Sequence, residues 1–108
     1  MALVVGRTLG SARAARDARS FLAGARLGSP LSARSLRGLR VRVVYVEDGL
    51  DRLSPAMTYY VRRLASLLDR ELRRMRAEGV FHVLPAGAGA PVPVPAGEYL
   101  ERLRARQS

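Results

Sequence analysis

Apolar residues recur along this chain in two different periods. From Leu39 to Val46 the run Leu-Arg-Val-Arg-Val-Val-Tyr-Val alternates and is rich in β-branched side chains, which predicts a strand. On its pleat Val41, Val43 and Tyr45 share one face, and Arg40, Arg42 and Val44 the other. Glu47-Asp48-Gly49 ends it as a turn. Met57, Val61, Leu64, Leu68, Leu72 and Met75 then follow at steps of three or four, the spacing of a helix with one continuous apolar stripe. Tyr60 and Leu67 widen that stripe. Ser54 can cap the helix, and Pro55 suits its first position, where a missing N–H costs nothing. The helix runs to about Ala77, with Gly79 as its stop, and would be roughly 35 Å long. Val80-Phe81-His82-Val83-Leu84 predicts a second, short strand, in which His82 faces away from Phe81 and Val83 as an ordinary strand residue.

The pattern changes after Leu84. Residues 85–96 are glycine-rich and then alternate proline with valine, which predicts a pliant and then semi-stiff spacer. Gly87 and Gly89 do not form a phosphate loop, because no lysine and hydroxyl pair follows at the required place. Residues 97–108 predict a short terminal helix with a narrow apolar side of Tyr99, Leu100 and Leu103. The expected fold is therefore small and α+β. A strand–long helix–strand body over 39–84 leads through the spacer to the C-terminal helix, and an extended Arg-rich segment over 1–38 precedes it. Two strands and one helix make a meagre core. On this reading Met57, Val61, Leu64, Leu68 and Leu72 pack against another chain.

Composition narrows the chemistry. The chain has 108 residues, no cysteine and one histidine, so disulfides, thiolate sites and multi-histidine zinc sites are excluded. No metal or cofactor is expected. Glu47, Asp48 and Asp51 lie close together, but acids before a helix read as turn and capping residues. No paired base and nucleophile is evident, and the expectation is a non-enzyme with no small-molecule substrate. No apolar run is long enough to span a membrane.

Charge adds a partner class. Nineteen basic residues, all arginine, against nine acids give +10. Residues 1–40 hold eight of those arginines and one acid, Asp17. Basic, alanine- and serine-rich and almost free of acids, this third has the composition of a mitochondrial, or less readily plastid, targeting segment. Leu3–Val5 is too short for a secretory core. Retained instead, the segment could order only along a large partner that offsets its chain entropy. On the long helix Arg62, Arg63, Arg70, Arg73 and Arg74 fall within about 120° opposite the apolar stripe. Asp69 can pair with Arg73 and Glu71 with Arg74. Arginine forks onto phosphate, so RNA contact is expected at Arg7, Arg13, Arg16, Arg19, Arg26, Arg34, Arg37 and Arg40, and at Arg62, Arg63 and Arg70.

From Leu39-Arg40-Val41-Arg42-Val43-Val44-Tyr45, through Leu50-Asp51, to Met57-Thr58-Tyr59-Tyr60-Val61-Arg62-Arg63-Leu64, the chain resembles the opening strand and helix of the ribosomal S-ten family and its mitochondrial large-subunit relatives. The likeness covers residues 39–68 and implies a ferredoxin-like α/β protein that binds ribosomal RNA and neighbouring proteins. The chain departs from the family after that point, where the Pro–Val spacer replaces a further strand and helix. The expected function is a structural ribosomal subunit of an organelle, matrix-side in a mitochondrion, holding rRNA phosphates and protein neighbours. The alternative is a soluble accessory subunit of a respiratory-chain or ATP-synthase complex.

Overall fold

Four short, nearly all-apolar strands run parallel, and a proline-studded fifth closes one edge. The computed structural model describes residues 2–38, 40–75 and 79–105, and only the backbone of Ser35, Arg74 and Met75. The strands are β1 (Ala2–Val5), β2 (Arg26–Gly28), β3 (Val43–Glu47), β4 (Val80–Leu84) and β5 (Val92–Pro95). The helices are α1 (Leu9–Asp17), α2 (Thr58–Met75) and α3 (Ala96–Arg104). The sheet order is β2-β1-β3-β4-β5, with only β5 antiparallel to its neighbour. This is a small α+β fold with a mixed sheet, a long central helix and a short C-terminal one.

The strand–helix–strand body is present as β3, α2 and β4, with the two strands parallel and directly paired. α2 is preceded by a single 3-10 turn, Pro55–Met57, whose start carries no side-chain cap. The expected end of the helix near Ala77 and the Glu71–Arg74 pair lie outside the described residues and side chains. The Asp69–Arg73 pair forms at 3.0 Å. Asp69 also accepts from Arg104 at 2.9 Å, tying α3 to α2.

The first 38 residues are the main correction. The sequence suggests an extended segment; the structure builds from it β1, α1, β2 and a 3-10 stretch over Pro30–Leu36. β1 lies between β2 and β3, with Leu3 level with both Arg26 and Val44. A strand covered on both faces is apolar throughout instead of alternating. Leu3, Val4 and Val5 are accordingly all buried. Thr8 and Ser11 start α1 with a reciprocal capping box, each backbone N–H donating to the other side chain at 3.0 Å.

The spacer is the second correction, because residues 92–95 form β5. Pro93 and Pro95 are two apart, so both missing donors fall on the same side of the strand. Val92 and Val94 face Val83 and Phe81 and keep their N–H groups for β4. The Pro–Val alternation is thus suited to an edge strand that blocks further pairing.

Side chains alternate between two cores. Leu3, Val5, Val44, Val46 and Phe81 face α2 and α3. Val4 and Leu84 face α1, with Ala12, Leu22 and Ala25. The expected need for another chain is met internally: Ala33 and Leu36, with β1, complete the larger core. The stripe proposed for partner packing is part of that core. Val61, Leu64 and Leu68 are buried, while Met57 and Leu72 pack on it half-buried. Most of the stripe is therefore covered by this chain's own strands and helices.

Candidate nucleic-acid interface

α2 opens with Thr58-Tyr59-Tyr60-Val61-Arg62-Arg63, and its helical turn sorts these residues by face. Val61 and Leu64 turn inward and are fully buried. Tyr59 and Tyr60 turn outward, 67% and 37% exposed, with their rings edge-on at 5.2 Å. Tyr59, Arg62, Arg63 and Ser66 line a surface hollow of about 640 Å³ whose rim is completed by Pro55 and Ala56. Pro55, locked in the turn before α2, stiffens that rim. Arg62 is exposed and Arg63 half-buried. A flat ring beside two guanidinium groups can stack a base and hold its phosphates.

A second aromatic group lies on the α1 side of the sheet. The alternation that buries Val44 and Phe81 leaves Tyr45 and His82 on the opposite face, where their rings lie 5.2 Å apart. Phe21, 58% exposed, extends this row to Tyr45 at 5.9 Å. Phe21, Tyr45 and His82 are far apart in the sequence, and only the sheet brings them together.

The arginines expected to touch RNA divide by location. Arg26 opens β2, and Arg40 and Arg42 lead into β3. Because β2 and β3 run parallel on either side of β1, these three lie at one end of the sheet. All three are exposed, and among the described residues none makes an ion pair. Arg42 was not among the expected contacts. Arg13 on α1, Arg34 in the 3-10 stretch, Arg37 at its end and Arg70 on α2 are exposed. Arg7 sits at the opposite end of the sheet, paired with Glu47. Arg16 is half-buried, pairing with Asp17 at 3.1 Å and donating to the Ala25 carbonyl.

Arg19 has to be withdrawn from the contact set. It is 5% exposed and donates to the carbonyls of Ala15, Pro85 and Gly89 at 2.8–3.2 Å. It fastens the loop after β4 to the end of α1. Its burial depends on carbonyls about seventy positions away, which a local run of arginines does not reveal.

Among the described residues no helix is long and apolar enough to cross a membrane, and no group of three or more histidines and acids could hold a metal. In comparisons with known proteins, no family model, curated protein or solved structure matches the chain.

Proposed function

We propose that the chain is a non-catalytic nucleic-acid-binding subunit of a larger assembly, in its most specific form a ribosomal protein of the mitochondrion. The observation that carries this reading is the hollow where exposed Tyr59 adjoins Arg62 and Arg63. Two further features support it. The net charge is +10, and Arg26, Arg40 and Arg42 gather at one end of the sheet without carboxylate partners among the described residues. The resemblance of residues 39–68 to the ribosomal S-ten family favours RNA over DNA, although the directly paired parallel β3 and β4 are not the split strand–helix–strand unit of the ferredoxin-like fold it implies. Binding of this kind grips the phosphate backbone and stacks bases without reading their edges.

The test is fluorescence anisotropy of the full chain on single-stranded RNA across a salt series, with single-stranded DNA of the same sequence alongside. Arg62→Gln with Arg63→Gln should lower the slope of log affinity against log salt by about 1.4, the share of two phosphate contacts on a single strand. Tyr59→Ala should cost about 1–3 kcal/mol and leave the slope nearly unchanged, since stacking carries no counterion term. Affinity and slope untouched in the double variant would defeat the reading. Equal affinity for DNA would remove its ribosomal form.

A further inference from the structure

The second site lies at the carboxyl ends of the parallel strands. After β1 the chain turns into α1 on one face of the sheet; after β3 it goes to α2 on the other. Adjacent parallel strands whose helices leave on opposite faces part their loops and open a crevice, the general ligand position in open α/β sheets. Here the loops are residues 6–8 and 48–49. The crevice holds a cavity of about 490 Å³, within the usual range for small-molecule sites.

Its walls carry charge of both signs. Arg7 reaches across from the β1 loop to Glu47 at the end of β3, and stays more than half exposed. Asp48 follows Glu47 and pairs with Arg52 at 3.2 Å. Ser11 lines the wall from the first turn of α1, its hydroxyl donating to the Thr8 carbonyl within the cap. Arg19 forms part of the inner wall. Every acid lining the cavity is thus matched by an arginine, whereas Arg19 is a buried cation held by carbonyls, with no carboxylate partner among the described residues. Its carbonyl contacts leave one Nη1 N–H undonated. A buried charge is costly without a counter-charge, and an anion entering the cavity would supply one.

We propose that this crevice binds a small sugar-phosphate ligand. The phosphate lies against Arg7 and Arg19, and the sugar hydroxyls donate to Glu47 and Asp48. Phosphate is the anion that arginines hold best, through charge-assisted and forked hydrogen bonds. Arg7 occupies Oε1 of Glu47 and Arg52 occupies Oδ1 of Asp48, and the carboxylates' remaining lone pairs can accept from hydroxyls. This site is separate from the Tyr59 hollow and stands or falls independently of it.

The experiment is amide NMR titration of the full-length chain with AMP, ribose 5-phosphate, inorganic phosphate and adenosine, with affinities from calorimetry. AMP and ribose 5-phosphate should shift residues 6–11, 47–49 and 86–89 saturably at millimolar concentrations. Adenosine, lacking the phosphate, should bind about tenfold more weakly or worse, as expected for the loss of a charged contact. Arg7→Gln should weaken AMP about tenfold, while its spectrum stays dispersed because Arg7 is exposed. Tyr59→Ala should leave AMP affinity unchanged. The proposal is overturned by no saturable shift with any of the four, by shifts confined to residues 59–66, or by an Arg7→Gln chain that binds AMP as tightly as the original. Inorganic phosphate binding as tightly as ribose 5-phosphate would overturn the sugar-phosphate assignment.

Discussion

Glycine 6 offers a direct way to test whether the amino-terminal third belongs to the fold. It ends β1 where the chain turns into α1, and a Cβ built there would lie 2.5 Å from the Ala12 nitrogen and 2.7 Å from its Cα. Both are backbone atoms of a capped helix, so no side chain can swing aside. In Gly6→Ala the helix must retreat by roughly 1 Å to regain ordinary contact, and a gap of that size forfeits a quarter to a half of each dispersion contact. Ala12 is fully buried against Val4 and Leu22, so its packing is loosened at once. With the usual cost of overpacking, the loss should be about 3 kcal/mol, and Tm should fall by about 12 °C or more. Two other glycines calibrate this. At Gly28 a Cβ would meet only the end of the Leu36 side chain, at 2.8 Å, and Gly28→Ala should cost about 1 kcal/mol. At Gly97 in α3 nothing lies within 4 Å, and Gly97→Ala should stabilise by about 0.5–1 kcal/mol. Urea unfolding followed by circular dichroism, with a shared m-value, reads all three. A Gly6→Ala chain as stable as the original would refute the packing of β1 against α1. It would return residues 1–38 to the role of a detachable leader or extension.

Two further predictions follow from burial and charge. Leu64→Asp should unfold the isolated chain, because it places a carboxylate at a fully buried position, a loss exceeding about 4 kcal/mol. A dispersed NMR spectrum for that variant, with only partner binding lost, would mean that the stripe faces a neighbour after all. Burial, with the nearby Asp51 charge adding to it, pushes the Tyr99 phenol above its ordinary value. Folded and unfolded chains both hold this proton below about pH 10; above that the unfolded chain releases it first, so stability falls as pH rises further. Tyr99→Phe should flatten this alkaline loss in urea titrations between neutral and strongly alkaline pH, and an unchanged slope would show that Tyr99 is not its source.

What the sequence alone determined is what short-range physics enforces. α2 is legible because an apolar stripe at steps of three and four must be buried on one side. β4 and α3 are legible for the same local reason, and Tyr99, Leu100 and Leu103 are buried as their spacing indicates. The face of Tyr45 and His82 follows from simple alternation. The helical wheel places Arg62 and Arg63 away from the apolar stripe, and the structure adds Tyr59 beside them.

Tertiary structure decided the rest. β1 has four residues and no alternation, and its meaning comes from β2 and β3, which begin some 24 and 41 positions later. Read locally, Leu3–Val5 is merely a short apolar run; set between two parallel strands, it is the middle of the sheet. The Pro–Val stretch reads as a spacer until β4 supplies acceptors on the one side where its donors survive. Arg19 cannot be told from Arg16 or Arg26 in the sequence, yet distant carbonyls make it a buried cation facing a crevice. That crevice exists only because α1 and α2 leave neighbouring strands on opposite faces, a property of chain topology that no local periodicity encodes.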